Sequence, residues 1–336
     1  MTSSTGATGQ PAEPERHATP ATPPPNTDGR KTELDALAVV LIVGCCAVWG
    51  LAQVAAKLTL AEIPPLMQAS LRSAGAALLL LAWTRWRGPM FWRQVVGRDG
   101  SSRGGWLAGL LFAAEFACIF IGLQYTSASR MVVFIYLSPF VVALGMPFIA
   151  RGEAMSGWQL VGLGGAFAGV VWAFYGGFVN PTAGPQQWLG DSLGIAAGVL
   201  WGLTTLVLRG SKLGQVVPEK ALLWQLLVSA AALGAGSVWM GEAWAQLPSA
   251  QAWWLLGFQI VVVTFASYLV WFWLVRHYPA TKLSTFTLLT PVFGLWAGVA
   301  LLGEPLTLRL VTALLAVCGG IALVNLAPRR RPEEKR

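Results

Sequence analysis

Charge is scarce in this chain. Only 11% of its 336 residues are Asp, Glu, Lys or Arg, against about 25% in an ordinary soluble domain. So little charge cannot coat a water-facing surface, and with 55% hydrophobic residues the expected solvent is lipid. Cysteine and histidine are scarce too. Cys45, Cys46, Cys118 and Cys318 all lie in apolar runs, no CxxC occurs, and there are 2 His. That pattern speaks against a structural disulfide or a metal site. The net charge of +8 does not point to nucleic acid, because the basic residues gather in tails and at the ends of apolar runs. What the chain has in quantity is tryptophan, 17 residues, and indole rings anchor helices at headgroup level.

A spanning helix needs about 20 mostly apolar residues. Ten runs qualify, at about 36–57, 65–84, 106–125, 129–150, 157–176, 192–208, 220–240, 253–275, 281–302 and 308–327. The expected fold is an all-α, multi-pass protein of ten transmembrane helices. Residues 1–34 are rich in Pro, Thr and Ser, as in Thr22-Pro23-Pro24-Pro25, and read as a disordered tail. Residues 328–336 form a basic tail. With the N-terminus in the cytoplasm, every Lys and Arg except Lys57, Arg72, Arg130 and Arg309 falls on the cytoplasmic side. Both termini are therefore expected to be cytoplasmic, in the cell (inner) membrane. The segment Phe91–Val96 reads as a short amphipathic stretch on the membrane surface.

The ten spans contain a repeat. A shift of 152 residues (201 − 49) carries Trp49-Gly50-Leu51 onto Trp201-Gly202-Leu203. The same shift carries Ser129-Arg130 onto Thr281-Lys282, Phe134 onto Phe286, and Ser138-Pro139 onto Thr290-Pro291. Gly152-Glu153 recurs as Gly303-Glu304, one residue short of that register. The domains are thus repeat 1 over 35–176 and repeat 2 over 177–327. Five spans is an odd number, so the second copy is expected to enter from the opposite face. Inverted repeats are an architecture of secondary transporters, with substrate bound between the repeats near the midplane.

Several of these residues carry a family resemblance. Gln124–Ser129, Pro139, Gly152-Glu153, Trp49-Gly50, Arg72, Pro291 and Gly303-Glu304 resemble the EamA family of the drug/metabolite transporter superfamily. The resemblance covers about residues 36–327. It implies a ten-helix fold, a central cavity lined from both repeats, no prosthetic group, and export of amino acids, metabolites or drugs.

Glu115 stands near the middle of the third span. A charged group at that depth costs roughly 2.5–3.5 kcal/mol and should face the protein interior or a wet cavity. It reads as a ligand for a substrate ammonium or a carrier of a coupling proton, or else as a structural ion pair with Arg72 or Lys57. Its repeat mate is Ser267. Thr264, Ser267, Tyr268 and Trp271 have the i, i+3, i+4, i+7 spacing of one helix face and are expected to line a cavity, with Gln259 a weaker member. Trp49 and Gln53, with mates Trp201 and Thr205, offer a second pair of substrate-facing positions. Arg72 reads as gating or structural, like Pro139 and Pro291, whose missing N–H groups bend their helices. Lys57 and Arg130 are expected near the outer surface, snorkelling. Gly165 and Gly169, with mates Ala316 and Gly320, read as a close-packing face.

The function expected from these features is a secondary transporter exporting a small amphipathic metabolite such as an amino acid. Its partners are that solute, the bilayer and a coupling proton, with no nucleic acid. A channel or a non-transporting partner protein is the alternative. A membrane-embedded enzyme would need a cluster of His, Asp or Ser that the spans lack.

Overall fold

Punctuation residues set where each helix begins. The computed structural model describes residues 34–149, 157–244, 246–278, 283 and 286–326. The carboxylate of Asp35 accepts the Ala38 N–H at 2.9 Å and opens α1, Ala36–Thr59. Pro65 opens α2 (Pro65–Trp86) and Pro89 opens the short α3 (Pro89–Val96); proline suits a first turn whose N–H has no intrahelical partner. Then come α4 (Ser102–Gly122), α5 (Ala128–Ile135), α6 (Ser138–Ile149) and α7 (Gly157–Val179). The second half holds α8 (Gln187–Gly210) and α9 (Pro218–Trp239). Next is one long helix in three parts: α10 (Ala250–Phe258), a π-helical stretch Gln259–Ala266, and α11 (Ser267–His277). Helices α12 (Leu289–Leu302) and α13 (Leu308–Leu326) complete it.

Among the described residues there is no strand, and eight helices are long and apolar enough to cross a membrane, counting α5 with α6. Helices α12 and α13 are apolar but shorter over their described residues. The expected tails (residue 34 excepted), Arg151, Gly152-Glu153 and Thr281-Lys282 lie outside the described residues. The expected amphipathic stretch forms the short helix α3, and Arg87 just before it lies over the Trp83 and Phe91 rings at 5.2 and 5.3 Å.

The two halves interlock. Helix α1 packs on α10, α11 and α12, while α8 packs on α4, α5 and α6. Helix α2 packs on α9, and α7 on α13. The 152-residue shift holds in these contacts. Gly50 approaches α12 so closely that a Cβ would lie 2.8 Å from the Phe293 Cβ, and Gly202 approaches α6 so that one would lie 2.5 Å from the Val141 Cβ. Gly50 and Gly202 are 152 apart, and so are Val141 and Phe293. In the α7–α13 pair, Gly169 meets Ala316 and Gly320 meets Ala166. Gly165 faces open space instead, so the close contact uses only part of the expected face.

Candidate functional site

The centre of the molecule holds two ionisable side chains with polar atoms that no hydrogen bond satisfies. Arg72 on α2 is 5% exposed, and so is Glu115 on α4. The Arg72 guanidinium stacks 3.8 Å over the Phe116 ring and 5.5 Å from that of Phe120. Its Nε and Nη2 atoms are buried without a hydrogen-bond partner, as is Oε2 of Glu115. The charges of Arg72 and Glu115 act on each other, and the hydroxyl of Tyr268 on α11 sits in the same field. Among the described residues no ion pair within 4.0 Å joins them. Tyr268 and Trp201 pack on the same apolar cluster as Phe112, Phe116 and Phe120. Trp201 also meets Tyr136 edge-on at 5.8 Å.

A chain of amides runs beside this centre. Gln68 Nε2 donates to Gln259 Oε1 at 3.3 Å and to the Ala56 carbonyl at 3.3 Å. Gln259 Nε2 donates to Thr59 Oγ1 at 3.2 Å. Gln68 Oε1 and Gln53 Oε1 remain buried and unpartnered. Native proteins leave few buried polar atoms in this condition, and each one asks for a reason.

The stripe expected on the eighth span is divided. The π-helical stretch adds a residue to its turns, and Thr264 Oγ1 donates to the Gln259 carbonyl five residues back at 2.9 Å. Thr264 is fully buried on its own backbone. Ser267 accepts the Trp49 indole N–H at 2.8 Å and donates to the Val263 carbonyl at 2.6 Å. Trp49 and Trp271 meet edge-on at 5.7 Å, in the region where α1 packs against α11. Only Tyr268 joins Arg72 and Glu115. Thr205 spends its hydroxyl on the Trp201 carbonyl at 3.1 Å. Spacing rules assume 3.6 residues per turn, and a π-stretch, common at functional sites, breaks that assumption.

Of the two cations expected to snorkel, Arg130 is enclosed, while Lys57 keeps a side chain 30% exposed. Arg130 is 5% exposed and grips Asp191, itself 0% exposed. Nε reaches Oδ1 at 3.0 Å and Nη2 reaches Oδ2 at 2.5 Å, with the Thr126 hydroxyl donating to Oδ1 at 2.6 Å. Asp191 was hidden in the sequence because it stands at the edge of an apolar run, where an acid reads as a solvated helix end. Lys57 donates to the Thr126 carbonyl at 2.5 Å and lies 3.9 Å from Glu304. Gly303, at φ 64°, ends α12 in the left-handed conformation that glycine adopts without strain. Glu304 then accepts the Ala128 and Ser129 N–H groups at 2.7 and 3.0 Å. The Gly-Glu pair is therefore a cap that one half places on a helix of the other.

Neither of the two prolines sits within a continuous helix. The chain turns at Tyr136-Leu137 before Pro139, and at Thr287-Leu288 before Pro291. Each proline then lies in the first turn of the next helix, where its missing N–H costs nothing.

Comparison with known proteins shows the family. The EamA-like transporter family matches residues 36–175 and again 188–326. The chain belongs to that family. An uncharacterized transporter of Bacillus subtilis, YvbV, is 28% identical over 307 residues, covering 88% of this chain and 92% of its own. An uncharacterized protein of Pseudomonas aeruginosa is 32% identical over 236 residues, 68% of this chain and 75% of its own. A crystal structure with 17% identity covers 86% of this chain and 97% of its own at a TM-score of 0.61, a likeness of fold. The EamA match places the protein among multi-pass membrane transporters. Its two matched segments are the two halves that interlock here, so Arg72 and Glu115 come from the first EamA repeat and Tyr268 from the second.

Proposed function

We propose that this EamA protein is a secondary transporter that exports a small amphipathic metabolite, such as an amino acid, across the cytoplasmic membrane by alternating access. In this reading it has ten spans in two inverted units, 35–176 and 177–327, with both termini cytoplasmic. It does no covalent chemistry. Substrate binds between the units against Glu115, with Tyr268, Trp201 and the Trp49–Trp271 pair around it.

The observation that carries the reading is Glu115. A carboxylate oxygen buried without a donor is costly, and a cationic group on a ligand answers that cost. The matched breaks before Pro139 and Pro291 supply equivalent points of bending in the two units, as alternating access needs. Counterflow in proteoliposomes tests the proposal. A carrier shows trans-stimulation by its solute, and Glu115→Gln removes it while leaving the protein monodisperse. Unchanged transport and unchanged pH dependence in Glu115→Gln would sink the role given to this residue. A single cysteine at the exposed Leu306 should label from outside the cell; labelling from the cytoplasm alone refutes the topology.

A further inference from the structure

Arg130 and Arg72 present the same edge of the guanidinium in two different conditions. Nε and Nη2 are neighbouring donors that together match the two oxygens of a carboxylate. In Arg130 that edge holds Asp191, one oxygen on each nitrogen. In Arg72 the same two atoms are the buried ones that lack a partner. Stacking on Phe116 fixes the guanidinium plane and leaves its edge to hydrogen-bond. The ring contacts aside, no hydrogen-bond acceptor offsets the burial of Nε and Nη2. Among the described residues no ion pair joins Arg72 to Glu115, the acid that acts on it, and Glu115 is itself unpartnered on one oxygen.

We infer that Arg72 is a substrate ligand whose Nε/Nη2 edge takes a carboxylate, so that Arg72 and Glu115 together select a zwitterion carrying a carboxylate and an ammonium. The inference rests on the transporter reading and deepens it. A zwitterion answers both buried charges at once, which neither an amine nor a carboxylic acid can do alone. The separation of Arg72 from Glu115 has a function here, since a direct salt bridge between them would compete with the solute. The rings of Phe116 and Phe120 on Arg72, with Trp201 on the same apolar cluster, suit an apolar side chain on that solute.

The test needs no variant at first. Wild-type protein is screened by counterflow and by thermal shift with the common α-amino acids, their α-amides and the corresponding decarboxylated amines. Hydrogen bonds to a charged group contribute roughly 1.5–3 kcal/mol, which is about 10- to 100-fold in affinity. At least one amino acid is expected to bind and move, with its amide and its amine weaker by at least about tenfold. Arg72→Gln should erase the preference for the acid over the amide. Arg72→Lys should keep part of it, since a point charge replaces the fork. An amide or amine handled as well as the acid by the wild type overturns the inference, and so does a preference that survives in Arg72→Gln. If amines move and amino acids do not, the transporter reading stands and the zwitterion site falls. If no solute shows trans-stimulation, both fall together.

Discussion

Arg130 and Arg72 are equally buried, each at 5% exposure, and each lies by a phenylalanine ring, Phe134 for the one and Phe116 for the other. One donates to Asp191 and to the Ala173 carbonyl, and Asp191 in turn accepts the Thr126 hydroxyl. The other keeps two donors without acceptors, beside an acid in the same state. Taking a charge out of water costs several kcal/mol, recovered only with good geometry and full hydrogen bonding. The first cluster meets that condition within the chain. The second does not, and a ligand can. In this protein the difference between a structural charge and a functional one lies in whether its partners are already built.

The largest test of that difference is a pair of isosteric changes. Asp191→Asn leaves Arg130 buried and unpaired, so it should destabilise the protein by about 3–5 kcal/mol, read as a fall in melting temperature in detergent. Glu115→Gln replaces a buried acid that has no full set of partners, so its melting temperature should hold or rise while transport is lost. If the two variants melt alike, the distinction between built and unbuilt partners is wrong. A smaller effect is expected at the cap between the halves. Glu304→Gln keeps the shape of the side chain but weakens its hold on the first turn of α5. Loss of a good N-cap costs about 0.5–2 kcal/mol, so its melting temperature should fall less than that of Asp191→Asn.

Most of the architecture was legible before any coordinates. Helix lengths, the 152-residue register and the burial of Glu115 follow from apolar runs and from the cost of charge in lipid. The repeat was legible because Gly50 and Gly202 each meet the opposite half at a contact that admits no side chain. What could not be read was partnership over distance. Arg130 looked like a snorkelling cation because Asp191 lies 61 residues away at the start of another helix. Glu304 looked like a family signature rather than a cap because α5 begins 176 residues earlier. The stripe Thr264, Ser267, Tyr268 and Trp271 was read with α-helical spacing, and the π-stretch sends its members to different neighbours. Arg72 was read as gating or structural, and its unpartnered edge has no signature in the sequence, since it shows only when the nearby acceptors are in place.

The smallest prediction concerns a charge pair that is built but partly wet. Lys220 is almost buried and donates to Asp99 Oδ2 at 2.6 Å, and the Ser101 N–H donates to Oδ1 at 3.0 Å. Burial pushes the Asp99 carboxyl up, but the Lys220 and Ser101 hydrogen bonds outweigh it and hold the group at about 2, below its ordinary 3.8. A carboxyl held low stabilises the fold at every pH above its unfolded value, and that contribution fades as pH falls through the folded value. The gap in melting temperature between wild type and Asp99→Asn should therefore be constant from neutral pH to about 4 and close between about 4 and 2. It should stay small, below about 1 kcal/mol, because Asp99 is 36% exposed and solvent screens the pair. Asp191 has no such exposure, so Asp191→Asn should cost several times more at neutral pH. An Asp99 effect as large as that of Asp191 would mean that burial, the variable on which the comparison of Arg130 with Arg72 depends, does not set the worth of these pairs.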